Sequence, residues 1–150
     1  MNLERAIAIA TQAHAGQTQR NGEPYILHPI RVMLSLSNGP GAPAGDELDE
    51  LRIVAILHDV VEDTPWTLGM LRDEGFAADV ITAVDAVTKR DGEEYPDFVE
   101  RSAADPLGRR VKLADLEDNL DIRRLPKWKP KDATRAEKYL KAWRRLKALG

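Results

Sequence analysis

The run Leu51-Arg52-Ile53-Val54-Ala55-Ile56-Leu57-His58-Asp59-Val60-Val61-Glu62-Asp63-Thr64 makes two conflicting demands on any fold that contains it. Its apolar density predicts a helix over 48–63 that is buried on most of its sides. Its last turn nevertheless carries an imidazole and three carboxylates. A buried carboxylate is costly unless it is paired or bound to a metal, and acids at a helix C-terminus also oppose the macrodipole. Residues four apart share a stripe, so the spacing sets His58 beside Glu62 and Asp59 beside Asp63 on one face. Either the acids are paired or bound to a metal at the end of the buried helix, or they occupy a solvated C-terminal turn at some cost against the macrodipole.

The remaining segments read as further helices. Leu3, Ile7 and Ala10 place an apolar face on a first helix over 3–15, which Gly16 to Pro24 interrupts. Pro29 suits the first turn of a second helix, ending near Leu36. The glycines and prolines of 37–45 mark a loop. Thr64-Pro65 closes the 48–63 helix, Thr67 caps a short one to about Glu74, and period 3.6 resumes over 77–88. A helix near 95–103 follows. Asp105-Pro106 then supplies a cap and a first-turn proline for a helix predicted to run to about Arg124, and Pro126 and Pro130 separate it from a last helix over 132–149. No segment alternates as a strand does, so the expected class is all-α. At 150 residues and 43% hydrophobic content, residues 1–150 are expected to form one domain.

Composition narrows the chemistry. The chain has no cysteine, which excludes disulfides, thiolate ligands and a cysteine nucleophile. No basic leader precedes an apolar run and no stretch approaches about 18 apolar residues, so a cytoplasmic protein with no membrane partner is expected. The net charge of −3 conceals a division: from Arg123 onward eleven Lys and Arg face only Asp132 and Glu137, a net +9, which leaves −12 on residues 1–122. In the basic tail Ala136, Tyr139, Leu140, Trp143 and Leu146 recur at helical spacing. That pattern is an amphipathic helix with a solvated basic face, docked on an acidic body, in preference to a nucleic-acid site. Trp66, Trp128 and Trp143 suit a core or an interface alike, and the oligomeric state stays open.

The polar residues form a pattern across separate helices. His28 stands at a helix start, His58-Asp59 at the end of the apolar run, and Asp115 in K-L-A-D-L-E-D-N with Asn119 one turn on. Imidazole with carboxylate is a donor set for Mn, Fe, Zn or Ni, so these four read as a split metal site. Lys112 and Arg20 flank the ligand segments as cations able to contact phosphate or, equally, to form surface ion pairs. His14, on the first helix, is expected to be structural or to stand behind the ligands.

The motifs A-H-A-G-Q, G-E-P-Y-I-L-H-P, I-L-H-D-V-V-E-D-T and V-K-L-A-D-x-x-x-N resemble, in order and spacing, those of the HD phosphohydrolase superfamily. Within it they resemble the hydrolase domain of RelA/SpoT-type alarmone enzymes and their small single-domain relatives, over residues 6–124. The resemblance implies an all-α HD-domain helical bundle. It implies His28, His58, Asp59 and Asp115 as ligands of manganese, Glu62 and Asp63 as the acidic pair that handles the attacking water, and Asn119 as a substrate-contacting amide. It further implies removal of the 3′-pyrophosphate from guanosine tetra- or pentaphosphate. Departures are confined to the residues around the substrate. A basic pair in the family, its first arginine stacking on guanine, is Gln19-Arg20 here; a basic residue, a leucine and an aromatic or histidine become Leu116-Glu117-Asp118, and a frequent threonine becomes Ile122. The alternatives are therefore an HD-type phosphatase or phosphodiesterase acting on another nucleotide, or a non-catalytic module that senses a nucleotide or docks on RNA.

Overall fold

A computed structural model describes residues 1–150 as nine α-helices and one 3-10 turn, with no strand. In chain order the helices are α1 Leu3–Ala13, α2 Leu27–Asn38, α3 Asp46–Leu57, α4 Val60–Asp63, α5 Leu68–Asp73, α6 Ala78–Ala86, α7 Tyr95–Ala104, α8 Pro106–Asn119 and α9 Pro130–Ala148. The 3-10 turn Ile122–Arg124 lies between α8 and α9. Side-chain caps start several of them: Asn2 accepts from the Arg5 amide, Thr67 from Met70 and Asp105 from Gly108. No helix is long and apolar enough to cross a membrane.

The organising element is α3. Leu51, Ile53, Val54, Ala55, Ile56 and Leu57 are all buried, so the helix is enclosed rather than one-faced, and it packs against α1, α2, α6 and α8. Around it Ala6, Ile9, Val32, Leu71, Val80, Val84 and Val111 complete the main core. A smaller cluster of Val99, Ala103, Leu116, Ala142 and Leu146 attaches α9 to α7 and α8. The basic face of α9 engages acids on the body: Arg145 Nε donates to Glu100 at 2.5 Å and Trp143 Nε1 to Glu117 at 3.0 Å.

Three boundaries differ from the sequence expectation, each for a local reason. The continuous 48–63 helix is split at His58-Asp59 into α3 and α4. Nδ1 of His58 occupies the Ala55 carbonyl at 2.6 Å, the acceptor that an unbroken helix would offer the Asp59 amide. The helix expected to reach Arg124 stops at Asn119, because the Asp118 carbonyl is taken by the Asp121 amide at 3.2 Å and by Arg124 Nη2 at 2.7 Å. Asp121 then turns its own side chain to the Arg123 amide. Lastly, Pro130 does not break the chain before α9 but begins it, at the position where a missing amide proton is harmless.

Leu146 is 2% exposed and anchors α9 to its neighbours. Leu146→Ala is expected to destabilise the protein by about 2–5 kcal/mol, read from urea unfolding.

Candidate metal centre

The α3–α4 break re-aims the polar cluster. His58 turns towards His28, from the first turn of α2, and Asp115, from α8, while Asp59, Glu62 and Asp63 gather their carboxylates into an adjoining group. The sequence expectation of His58 paired with Glu62 on one straight helical face is corrected accordingly.

Four atoms converge at the centre. His28 Nε2 lies 3.0 Å from Asp115 Oδ1 and 3.6 Å from Asp59 Oδ2, and His58 Nε2 lies 3.1 Å from Asp59 Oδ2 and 3.4 Å from Asp115 Oδ1. Ligands bonded at about 2.1 Å stand about 3.0 Å apart at right angles and about 3.4 Å apart in a tetrahedron. The donor atoms have the spacing of a coordination shell. His58 Nε2 is buried, yet it forms no hydrogen bond. Both imidazoles are anchored through the opposite nitrogen, His58 Nδ1 on the Ala55 carbonyl and His28 Nδ1 on Asp118 Oδ2, each at 2.6 Å. That arrangement points both Nε2 lone pairs inward and fits a divalent cation.

The carboxylates are equally constrained. Asp115 Oδ1 accepts from Asn119 Nδ2 at 3.0 Å, its Oδ2 from Lys112 Nζ at 3.0 Å, and Asp59 Oδ2 accepts from Tyr25 Oη at 2.5 Å. Burial alone would raise the pKa of Asp115, but Lys112 and the two histidines hold it well below the usual carboxylate range. Burial likewise favours neutral His58, and the Asp59 and Asp115 charges overcome it and raise its pKa well above the ordinary value.

Glu62 and Asp63 stand at the rim, exposed to solvent. Glu62 Oε1 accepts the Lys89 amide at 2.7 Å. Partial burial raises Asp63 to about 6, helped by the charges of Asp59 and Glu62. Burial also raises Glu62, and the Lys89 amide opposes the shift.

The remaining candidates from the sequence occupy more specialised places. Lys112 is buried and turned onto Asp115, with the Phe98 ring 4.8 Å away. Asn119 also bonds Asp115. Gln19 has both ends of its amide engaged, donating to the Pro24 carbonyl at 3.2 Å and accepting from Arg31 Nη2 at 2.5 Å. Arg20 forms an ion pair with Asp132 of α9. His14 bonds Gln17 at 2.8 Å and lies behind Tyr25, 5.0 Å between ring centres.

All these groups except His14 and His58 line one open cleft of ≈ 560 Å³. Sequence reasoning missed Tyr25, Arg31, Lys89, Asp118, Arg135, Lys138 and Tyr139, which line it too. Arg31 and Asp118 were accessible in principle, each lying three residues beyond a ligand on the same helical face. Lys89, Arg135 and Lys138 carry no carboxylate partner, unlike Arg20, Arg31, Lys112 and Arg124. Lys138 Nζ lies 4.6 Å from the Tyr95 ring centre. Burial lowers its pKa, and so does the positive charge of Arg135, Lys112 and Lys89 converging on it.

The sequence profile described as HD domain matches residues 6–149. Among curated proteins, the chain is 34% identical over 126 residues to a guanosine-3′,5′-bis(diphosphate) 3′-pyrophosphohydrolase of Aquifex aeolicus, covering 79% of this chain and 17% of that protein. It is 37% identical over 117 residues to the bifunctional (p)ppGpp synthase/hydrolase SpoT of Escherichia coli, covering 77% of this chain and 15% of that protein. The chain thus spans roughly one sixth of the length of these relatives. Among solved structures, one described as a metazoan ortholog of SpoT that hydrolyzes ppGpp superposes with a TM-score of 0.74 at 28% identity, covering 95% of this chain and 85% of that one.

Removing the counter-charge of a buried carboxylate is strongly destabilising. Lys112→Met is therefore expected to cost about 3–5 kcal/mol in metal-free protein, measured by urea unfolding, and less when a divalent cation is present.

Proposed function

The chain belongs to the HD domain family, and from that premise we propose that it is a metal-dependent phosphohydrolase that removes the 3′-pyrophosphate of guanosine tetra- or pentaphosphate. The observation that carries the reading is the convergence of His28, His58, Asp59 and Asp115 at the base of a cleft that also holds an acidic pair and a group of unpaired cations. The relatives named for this reaction supply the substrate class.

In this reading His28, His58, Asp59 and Asp115 hold the ion, which we take to be manganese. A divalent ion in that shell supplies an activated water and neutralises charge that grows on phosphoryl oxygens. Glu62 and Asp63 orient the attacking water and accept its proton. Water adds at the phosphorus next to the ribose, the bond to the 3′-oxygen breaks, pyrophosphate departs and the ribose oxygen is protonated. Lys89, Arg135 and Lys138 take the phosphate charge, since they are the cleft cations not already committed to a carboxylate. Lys112 and Asn119 fix Asp115, and Arg20 ties the 16–25 loop to α9.

One observation favours a second reading, a phosphatase or phosphodiesterase acting on a different nucleotide. Gln19 stands where the family arginine would stack on guanine, and its uncharged amide, bonded to the Pro24 carbonyl and to Arg31, lacks the cation–π component of that contact.

A substrate panel with added Mn2+ distinguishes the two. Guanosine tetraphosphate should give GDP and pyrophosphate, whereas turnover confined to nucleoside monophosphates or cyclic nucleotides would establish the second reading. Glu62→Gln and Asp63→Asn should retain metal and lose about 10²–10⁴-fold in kcat. His58→Ala should lose bound metal altogether, as elemental analysis will report.

A further inference from the structure

Each metal-facing histidine needs an acceptor for its Nδ1 proton, and the two obtain it differently. His58 uses a carbonyl of its own helix, Ala55, at 2.6 Å. His28 stands in the first turn of α2, where the carbonyls that precede it are already taken. The Tyr25 carbonyl accepts the His28 amide at 3.0 Å, and the Pro24 carbonyl accepts the Leu27 amide and the Gln19 side chain, both at 3.2 Å. The acceptor has to come from another element. It comes from α8, where Asp118 Oδ2 lies 2.6 Å from His28 Nδ1.

Asp118 is in turn held on its other side. Arg31 Nε donates to Asp118 Oδ1 at 2.9 Å and Arg31 Nη2 to Oδ2 at 3.1 Å, while Arg124 Nη2 stands 3.2 Å from Oδ2. The same Arg31 Nη2 donates to Gln19 Oε1 at 2.5 Å. Gln19 and Asp118, ninety-nine positions apart in the chain, therefore meet on one guanidinium. The side chains of His28 and Asp118 are only 5% and 11% exposed, so little solvent competes for these bonds.

We infer that Asp118 is a positioning residue for the metal ligand His28, and that Arg31, steadied by Gln19, holds Asp118 in register. The carboxylate fixes the tautomer that leaves His28 Nε2 unprotonated, sets the ring plane and makes the imidazole a stronger donor. The two guanidinium groups offset its charge, so it performs this task without adding a net negative charge to the cleft. Gln19 serves this network as an acceptor for Arg31, where an arginine would set a further guanidinium against it. The inference rests on the metal site of the proposed function and not on the identity of the nucleotide.

The test is Mn2+ affinity, read as free ion by electron paramagnetic resonance while Mn2+ is titrated into the metal-stripped protein. Asp118→Ala should bind Mn2+ about 10–100-fold more weakly than wild type. Asp118→Asn keeps an acceptor for Nδ1 but not the charge, and should fall between the two. Arg31→Ala should weaken binding by a smaller factor, and Arg31→Ala with Asp118→Ala should be no weaker than Asp118→Ala alone, because both act through one bond. Asp118→Ala at wild-type affinity overturns the inference, as does a double variant whose losses simply add. If Asp118→Ala does not fold, Arg31→Ala decides alone: wild-type affinity overturns the inference and weakened affinity supports it. Wild-type protein that binds no Mn2+ overturns the metal site of the proposed function itself, whereas wild-type binding with both variants unaffected removes only this inference.

Discussion

Two carboxylates held about one van der Waals contact from two imidazoles, inside an apolar bundle, form the constraint on which the rest of this structure depends. Asp59 and Asp115 are nearly out of solvent, and neither charge is tolerable there unopposed. The groups that bond them contribute positive charge or a hydrogen-bond donor: Lys112 from one turn before Asp115, Asn119 from one turn after it, the Tyr25 hydroxyl, and the imidazoles themselves. Lys112 is buried against Asp115, with its ammonium 4.8 Å from the centre of the Phe98 ring. The site is thus a core of its own, built from polar contacts beside the apolar one.

The interruption between α3 and α4 lets one helix serve both cores. Up to Leu57 the helix is enclosed by apolar neighbours, and an unbroken continuation would have carried its acids around the same cylinder in stripes. The His58 ring instead takes the Ala55 carbonyl, the backbone loosens by two residues, and the acids are redistributed. Asp59 then stands between the histidine group and the rim pair Glu62 and Asp63. A single local hydrogen bond so separates groups suited to holding a cation from groups suited to moving a proton.

The C-terminal helix completes the cleft and balances its charge. Its apolar stripe docks on α7 and α8 while Arg145 and Trp143 meet acids there. Its N-terminal turns reach over the opening, where Asp132 receives Arg20 and where Arg135 and Lys138 remain without carboxylate partners. The other cations in the cleft are each paired with an adjacent acid, so its unpaired positive charge is concentrated along the wall formed by Lys89, Arg135 and Lys138.

Much of this was legible in the chain before any coordinates. The helical class followed from apolar spacing, since 3.6-residue periodicity is a local property that neighbours seldom reverse. Thr67 and Asp105 cap helices through bonds that span only a few residues. The motifs around His28, His58, Asp59 and Asp115 marked candidate ligands because those residue types have little reason to occur together in apolar helices. What tertiary structure decided depends on bonds between distant segments, which periodicity does not encode. The split at His58, the stop at Asn119, the burial of Lys112 and the meeting of Gln19 with Asp118 on Arg31 all depend on which acceptors were left unoccupied once the helices had packed. A sequence lists its donors and acceptors; only the packed bundle settles which of them find each other.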